Sequence, residues 1–522
     1  MNKRIGVAIA TAATASALIL SGCSANSVTP TSSSLSSTPA KGGNLVIARS
    51  ADIISMDKTM TFDNNSLRVM EQIMEPLFHA SPDGTKLEPW LATGYTTSAD
   101  KKTYIINLRK GVKFSNGKTL TAADVKFSID QNTASSAAGW GFINTAIQNI
   151  SVVNTETVRI QLKYPWAPLI ADLSLFANGI IPDNYGGETK AQFYSAPIGT
   201  GPFIWDYWKK GQAVMLTANK DYWQPGKPYL NSVEWTVVPD ANTRKLQVQG
   251  GQIDIDDTPD WSSLASLKST PGVVATTFPS TEIDYIAFNQ KRAPFSDPHI
   301  RMAISEAIDR NAMVQAVLFG NGTPAYSLLM PGVPYFDSNA GGATYNVAAA
   351  KKEMAESSKP NGFTTSLLIA SGSANQAAIA QIMQSELKAI GITMNIQQLD
   401  PTANKQARLN SDFDMSINLW TMDIPDPDEW TSFAVDPNGG SHSAFTYYRN
   451  PAVVALNKEA EVETNPTKRQ QLYSELQVQT SKDAFLAYLY YSPYVYATTT
   501  KVQGFHVTPL GNYLLQDVSK TN

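Results

Sequence analysis

Ile379-Ala380-Gln381-Ile382-Met383-Gln384-Ser385-Glu386-Leu387-Lys388-Ala389-Ile390 runs directly into Gly391 and then Ile392-Thr393-Met394-Asn395-Ile396. Ile379, Ile382, Met383, Leu387 and Ile390 recur at the spacing of one helix face, so this stretch predicts a helix with a buried stripe, and Met383 belongs to that stripe rather than to a ligand surface. Gly391 ends the helix, and the residues after it alternate with the period of a strand. Asp297-Pro298 repeats the logic as an N-cap before a proline at the first helical position, with Ile300, Ala303, Ile304, Ala307 and Ile308 facing a core. Nearer the start, Asn44 to Ala48 reads as a strand and Asn65 to Phe78 as a helix carried by Leu67, Met70, Ile73, Met74 and Leu77. Tyr104 to Leu108 is a strand, and Gly111, Phe114 and Asn116-Gly117 place a hairpin after it. Thr121-Ala122-Ala123-Asp124 is a capping box opening a helix through Phe127. Helices alternating with strands predict α/β lobes with mixed sheets.

A chain of 522 residues exceeds one usual domain, so two or more lobes are expected. The formal charge is −4 and no basic run could follow a phosphate backbone, which excludes nucleic acid as a partner. Lys3 and Arg4 precede an apolar run from Ile5 to Leu20 that suits an export signal better than a membrane span. The run ends in Leu20-Ser21-Gly22-Cys23, which resembles a bacterial lipobox and implies cleavage before Cys23 and acylation of its thiol. Cys23 is the sole cysteine, so the lobes are held by burial without a disulfide. Residues 24 to 43 are Ser, Thr, Pro, Ala and Gly with almost no large apolar side chain, a flexible tether.

One loop stands apart. Leu419-Trp420-Thr421-Met422-Asp423-Ile424-Pro425-Asp426-Pro427-Asp428-Glu429-Trp430 sets acids and two prolines between tryptophans, and the prolines remove backbone donors and oppose helix. Phe413 to Leu419 alternates like a half-buried strand, which would aim Trp420 and Asp423 into a cleft; a solvated acidic turn with tryptophans buried for packing is the competing reading. Tyr488, Tyr490, Tyr491, Tyr494 and Tyr496 crowd a later strand, where alternation sends some to a core and others to the opposite face.

Several segments carry a family resemblance: Leu87 to Ala92, Leu108 to Phe114, Leu120 to Val125, Pro197-Ile198-Gly199-Thr200-Gly201-Pro202-Phe203, Asn219 to Trp223, Pro294-Phe295-Ser296-Asp297, Arg301 to Ile304, Ala307 to Arg310 and Leu387 to Ile392. In this order they resemble the peptide and nickel class of bacterial extracellular solute-binding proteins that serve ATP-driven (ABC) importers. The resemblance implies a two-lobed periplasmic-binding-protein-like fold with mixed sheets, a hinge and an extra small subdomain in the first lobe. The expected layout is a signal at 1–22, a tether at 23–43, lobe I at 44–78 and 194–285 around an inserted subdomain at 79–193, lobe II at 286–488, and a return to lobe I at 489–522.

It also implies a lipid-anchored receptor at the outer face of the cell membrane, a monomer that closes on a peptide and delivers it to permease subunits. Trp420 is similar to the tryptophan wall of peptide-binding members, and Asp423, three residues on, to the aspartate that pairs with a peptide's α-ammonium; Thr421 and Tyr491 complete the expected ligand contacts. A basic residue for the peptide carboxylate has no counterpart in Phe413 to Leu419, which leaves longer peptides, oligosaccharides or a metal chelate open. Gly199 and Gly201 flank Thr200 where the backbone is expected to turn tightly. Asp426 and Asp428 are expected only to shape the loop.

Catalytic motifs are wanting. Ser98-Ala99-Asp100-Lys101 and Ser115-Asn116-Gly117-Lys118 fit the S-x-x-K pattern of exported serine enzymes, but both lie in turn-like stretches without an S-D-N or K-T-G to support them. His79, His299, His442 and His506 have no ligand spacing, and only His442 is near the acidic loop in sequence. No enzyme activity, metal or cofactor is expected.

Overall fold

The computed structural model describes residues 39–135 and 139–521. The signal, Cys23 and most of the tether lie outside the described residues. Among the described residues no helix is long and apolar enough to cross a membrane.

Eleven strands form one mixed sheet. Its order is Ile392–Leu399, Phe363–Ala370, Met415–Trp420, Val273–Phe288, Leu486–Thr499, Ile255–Asp256, Asn44–Arg49, Ser232–Val237, Ala213–Ala218 and Phe203–Lys209, with Thr323–Pro324 added on Leu486–Thr499. Phe363–Ala370 pairs in parallel with both its neighbours, and Asn44–Arg49 does the same with Ser232–Val237 and Ile255–Asp256. The helix Ala374–Lys388 supplies one parallel crossover, with Ile379, Met383 and Leu387 fully buried and Gly391 at φ +84° behind it. Asp297 caps the helix Pro298–Ala307 as its sequence requires, accepting the His299 amide at 2.9 Å.

The two longest strands, Val273–Phe288 and Leu486–Thr499, run antiparallel and join two core-bearing halves. Before an irregularity between Phe278 and Glu282, their residues pack with Ile47, Met70 and Trp235; after it, Ile286 and Leu489 pack with Ile304, Ile369 and Met383, while Ile283 and Tyr488 surround Trp430. A bulge bends and twists a strand, so the change of core coincides with the point where the ladder gives way. A separate antiparallel sheet, in the order Ala92–Thr97, Thr103–Leu108, Thr157–Leu162 and Ile147–Asn154, has its own core under the helix Ala122–Thr133. That helix opens with the Thr121/Asp124 capping box.

Four local expectations are corrected. The early helix spans only Asn64–Met70: Pro76 opposes helix before it, and the Gln72, Ile73 and Glu75 carbonyls accept the amides of Phe203, Gly201 and Ile180. Thr103–Leu108 pairs with Ala92–Thr97 and Thr157–Leu162, and Asn116-Gly117 closes only a small turn with Phe114 bonded to Lys118. Met415–Trp420 is buried on both faces over Met415 to Asn418, because it is an internal strand. Gly199 is required by close approach: a Cβ there would stand 1.8 Å from the Ile73 carbonyl oxygen.

Candidate functional site

The acidic loop starts where Met415–Trp420 leaves the sheet. Ile283 lies opposite Trp420 on one side and Tyr491 on the other, so these residues form one cross-strand row. The Trp420 ring stacks on Trp430 with centroids 5.1 Å apart and lies 4.1 Å from Phe433. Trp430 is fully buried and its Nε1 donates to the Leu328 carbonyl at 2.8 Å. Tyr491 is half-buried, its hydroxyl 3.0 Å from the carbonyls of Ser327 and Leu329. Thr421 is half-buried beside Trp420.

The loop is held by its own acids. The Met422 amide donates to Thr281 Oγ1 at 2.9 Å, tying the loop to the irregular part of Val273–Phe288. Glu429 Oε2 accepts the amides of Asp423 and Ile424 at 2.9 and 3.3 Å. Asp426 accepts two bonds from the Arg469 guanidinium at 2.5 and 2.9 Å, and Arg469 lies 5.2 and 5.3 Å from the rings of Tyr335 and Tyr473. Asp426 therefore does more than shape a turn: it forms a buried ion pair with the helix Pro466–Asp483. Asp428 to Trp430 are not loop, because the helix Asp428–Val435 begins there and a proline before its first turn removes an amide that would have had no intrahelical partner.

Asp423 is the one acid of the loop that lines a cavity against the first half. It lines a partly open cavity of about 20 Å³, room for one water, with Glu71, Glu75, His79, Trp90 and Asn512. The loop bridges the two halves here, since Met422 is buried with Trp430 while Ile424 is buried in the cluster of Ile47 and Met70. Glu75 is satisfied by Thr200, Tyr222, Trp90 and Trp223 at 2.7 to 3.0 Å. Glu71 has one bond, from Asn512 Nδ2. Burial, then the charge of Asp423, pushes the Glu71 carboxyl up to about 8; burial pushes Asp423 up to about 7 against a hydrogen bond to Glu429. Glu429 is raised well above the carboxylate range, first by burial and then by Asp423. A wider groove of about 610 Å³ lies between the small sheet and the second half, bordered by Tyr95, Lys101, Tyr104, Tyr335 and Arg469.

Of the residues singled out in the sequence, Asp423 lines the cavity; Trp420, Thr421 and Tyr491 do not, Trp420 being packed on Trp430 and Phe433 and Tyr491 bonded to the Ser327 and Leu329 carbonyls; Cys23 lies outside the described residues. His442, the histidine nearest in sequence, stacks on Tyr447 at 5.1 Å; His79 lines the cavity instead. His299, Glu353 and Glu356 do converge, although the histidines showed no ligand spacing in the sequence, but none lines the cavity. Ser98 and Ser115 sit in tight turns, with Ser98 Oγ bonded to Asp100 and the Ser115 amide to Gly199. Glu71, Trp90 and Asn512 were missed. Glu71 reads as the polar side of an amphipathic helix, and no local pattern links it to Asn512, more than four hundred residues away.

Bacterial extracellular solute-binding proteins, family 5, match the chain over residues 86–442. The chain belongs to that family, so it is a solute-binding protein of the class that serves ABC importers. It is 28% identical over 483 residues to the probable D,D-dipeptide-binding periplasmic protein DdpA of Escherichia coli strain K12, covering 89% of this chain and 92% of that one. It is 31% identical over 363 residues to the glutathione-binding protein GsiB of the same organism, covering 68% and 69%. The periplasmic binding protein DppA from Helicobacter pylori, solved in complex with the peptide STSA, superimposes with a TM-score of 0.83 at 26% identity, covering 92% of this chain and 99% of that one. The two-lobed periplasmic-binding-protein-like fold with mixed sheets is thereby borne out.

Proposed function

We propose that this protein captures peptides between its lobes through Asp423, which receives the peptide's α-ammonium. One observation carries this: Asp426 is consumed in the ion pair that pins the loop and Glu429 in holding its backbone, while Asp423 is the loop acid that lines the cavity where the loop meets the first half. Relatives named for dipeptides and a solved relative holding STSA support the ligand class. Trp420, Thr421 and Tyr491 form the wall of the second lobe. Backbone contacts add affinity without reading side chains, and closure follows because the ligand touches both lobes and so favours the closed state. No bond is made or broken.

The lobes divide as the family layout implies, 44–78, 194–285 and 489–522 against 286–488, with 79–193 inserted; the change of core along the two long strands supports this. A monomer anchored at acylated Cys23 hands its peptide to the permease. The test is calorimetry of a tetrapeptide library with a free amino terminus against the wild type and Asp423→Asn. Loss of a charge-assisted bond worth roughly 1.5–3 kcal/mol weakens binding about 10- to 150-fold. Unchanged affinity refutes the amine anchor, and a large effect of Trp420→Ala with none at Asp423 points to a stacked sugar.

A further inference from the structure

Resting on the amine-anchor reading, we infer that the ligand is a longer peptide whose distal part lies in the wide groove as an added strand on Ala92–Thr97, with its terminal carboxylate at Lys101. The cavity beside Asp423 has room for one water, whereas the groove of about 610 Å³ is of ligand size. The two share walls. The acidic loop gives Asp423 to the cavity and Pro425 and Asp426 to the groove, and the hairpin of Phe78–Ala80 with Leu87–Pro89 gives His79 to the cavity and Phe78 and Leu87 to the groove. A peptide anchored at Asp423 continues into the groove along these walls.

Ala92–Thr97 is the edge strand of the small sheet, paired with Thr103–Leu108 on one side and, among the described residues, with no strand on the other. Gly94, Tyr95 and Thr97 border the groove, and an extended peptide satisfies such an edge with main-chain bonds alone. The ring of Phe78 meets Tyr95 at 5.8 Å and Tyr95 meets Tyr104 at 5.9 Å, an aromatic line from the hairpin toward the turn that holds Lys101. Of the four charged residues on the groove, three are taken up: Asp426 with Arg469, and Glu463 by the Asn465 amide at 2.7 Å and Lys468 at 4.0 Å. The Lys101 ammonium has no partner among the described residues, and the neighbouring Asp100 accepts Ser98 Oγ and the Lys102 amide. Ammonium and carboxylate of one peptide thus meet opposite charges at the two ends of one path, and the basic residue wanting in Phe413 to Leu419 comes from the inserted subdomain. The six residues of the edge strand span about 20 Å, so an extended peptide reaching from Asp423 to Lys101 has about eight residues.

The test equilibrates tripeptide and octapeptide libraries with randomised interiors, with free or acetylated amino termini and acid or amide carboxyl termini, against the wild type and Lys101→Asn, and reads retained peptides by mass spectrometry. Lys101 stands at φ +57°, a backbone that asparagine tolerates, and an unshifted ligand-free thermal transition certifies the fold of the variant. The wild type is expected to retain free-amine octapeptide acids about tenfold or more over their amides and over tripeptides, and Lys101→Asn to lose the preference for the acid. N-methylation of alternate octapeptide amides is expected to cut retention by about tenfold, because the added strand loses its bonds. If the wild type retains acid and amide octapeptides equally, or Lys101→Asn keeps the acid preference, the groove assignment is wrong, while the anchor stands as long as free amines outcompete acetylated forms. If free-amine and acetylated peptides are retained equally, or neither is retained, anchor and groove fall together.

Discussion

Replacing Asp426 with asparagine removes the charge that pairs with a guanidinium only 5% exposed, at contacts of 2.5 and 2.9 Å. Removing one partner of a buried ion pair costs roughly 3–5 kcal/mol, because the other charge stays desolvated. Arg469 keeps the Ala460 carbonyl at 2.9 Å and the faces of Tyr335 and Tyr473, and the asparagine oxygen still accepts one bond, which places the cost near the low end, about 3 kcal/mol. That loosens the attachment of the loop to the helix Pro466–Asp483 by about two orders of magnitude. Unfolding of a protein this large is not safely two-state, so the assay is hydrogen exchange by mass spectrometry on ligand-free protein, over peptides covering residues 421–435 and 466–483. Exchange there is expected to rise by about a hundredfold, with the helix Ala122–Thr133 unchanged. Exchange within about twofold of wild type would refute the pin. The double replacement Asp426→Leu with Arg469→Met leaves no buried charge and is expected to restore most of the protection.

Other outcomes follow from the same contacts. Asp423 at about 7 is raised by burial and Glu71 at about 8 by burial and then the charge of Asp423, and Glu429 is raised with them; a closed form that keeps them buried holds these shifts, whereas an open form that admits solvent returns carboxylates to their ordinary range. Between the two ranges the closed form binds more protons, so its advantage is complete at low pH and is lost as pH rises through about 7 to 8. Arg68 and the Asn512 bond oppose the Glu71 shift, Glu282 moves in the same direction as the three acids, and His79 is pushed toward its neutral form. X-ray scattering of ligand-free protein is expected to show a larger radius of gyration at high pH than at low pH, and a constant radius contradicts it. Gly199→Ala puts a methyl 1.8 Å from the Ile73 oxygen and is expected to lower the thermal transition by several degrees or prevent folding; a wild-type melting curve contradicts the close approach.

Much of the fold was legible wherever a single element carries its own period. Ile379 to Ile396 announced a helix, its glycine stop and a strand, and Asp297-Pro298 announced a capped helix, because stripe and cap are local. The helix at Asn64–Met70 was overestimated because the carbonyls just past its end, Gln72 and Ile73, are claimed by Phe203 and Gly201, contacts that only the tertiary fold creates. In the acidic loop the two prolines set the irregular stretch, and the resemblance singled out Asp423. The partner of Asp426 was hidden in Arg469, forty-three residues on, and Glu71 carried no local mark of facing Asp423.

The central claim, that the cleft holds a peptide by its ammonium, is tested most directly by native mass spectrometry of the protein purified without added ligand. A ladder of peptide masses on the wild type, absent from Asp423→Asn, is the expected result. A hexose series, or the same masses retained on both proteins, would contradict it.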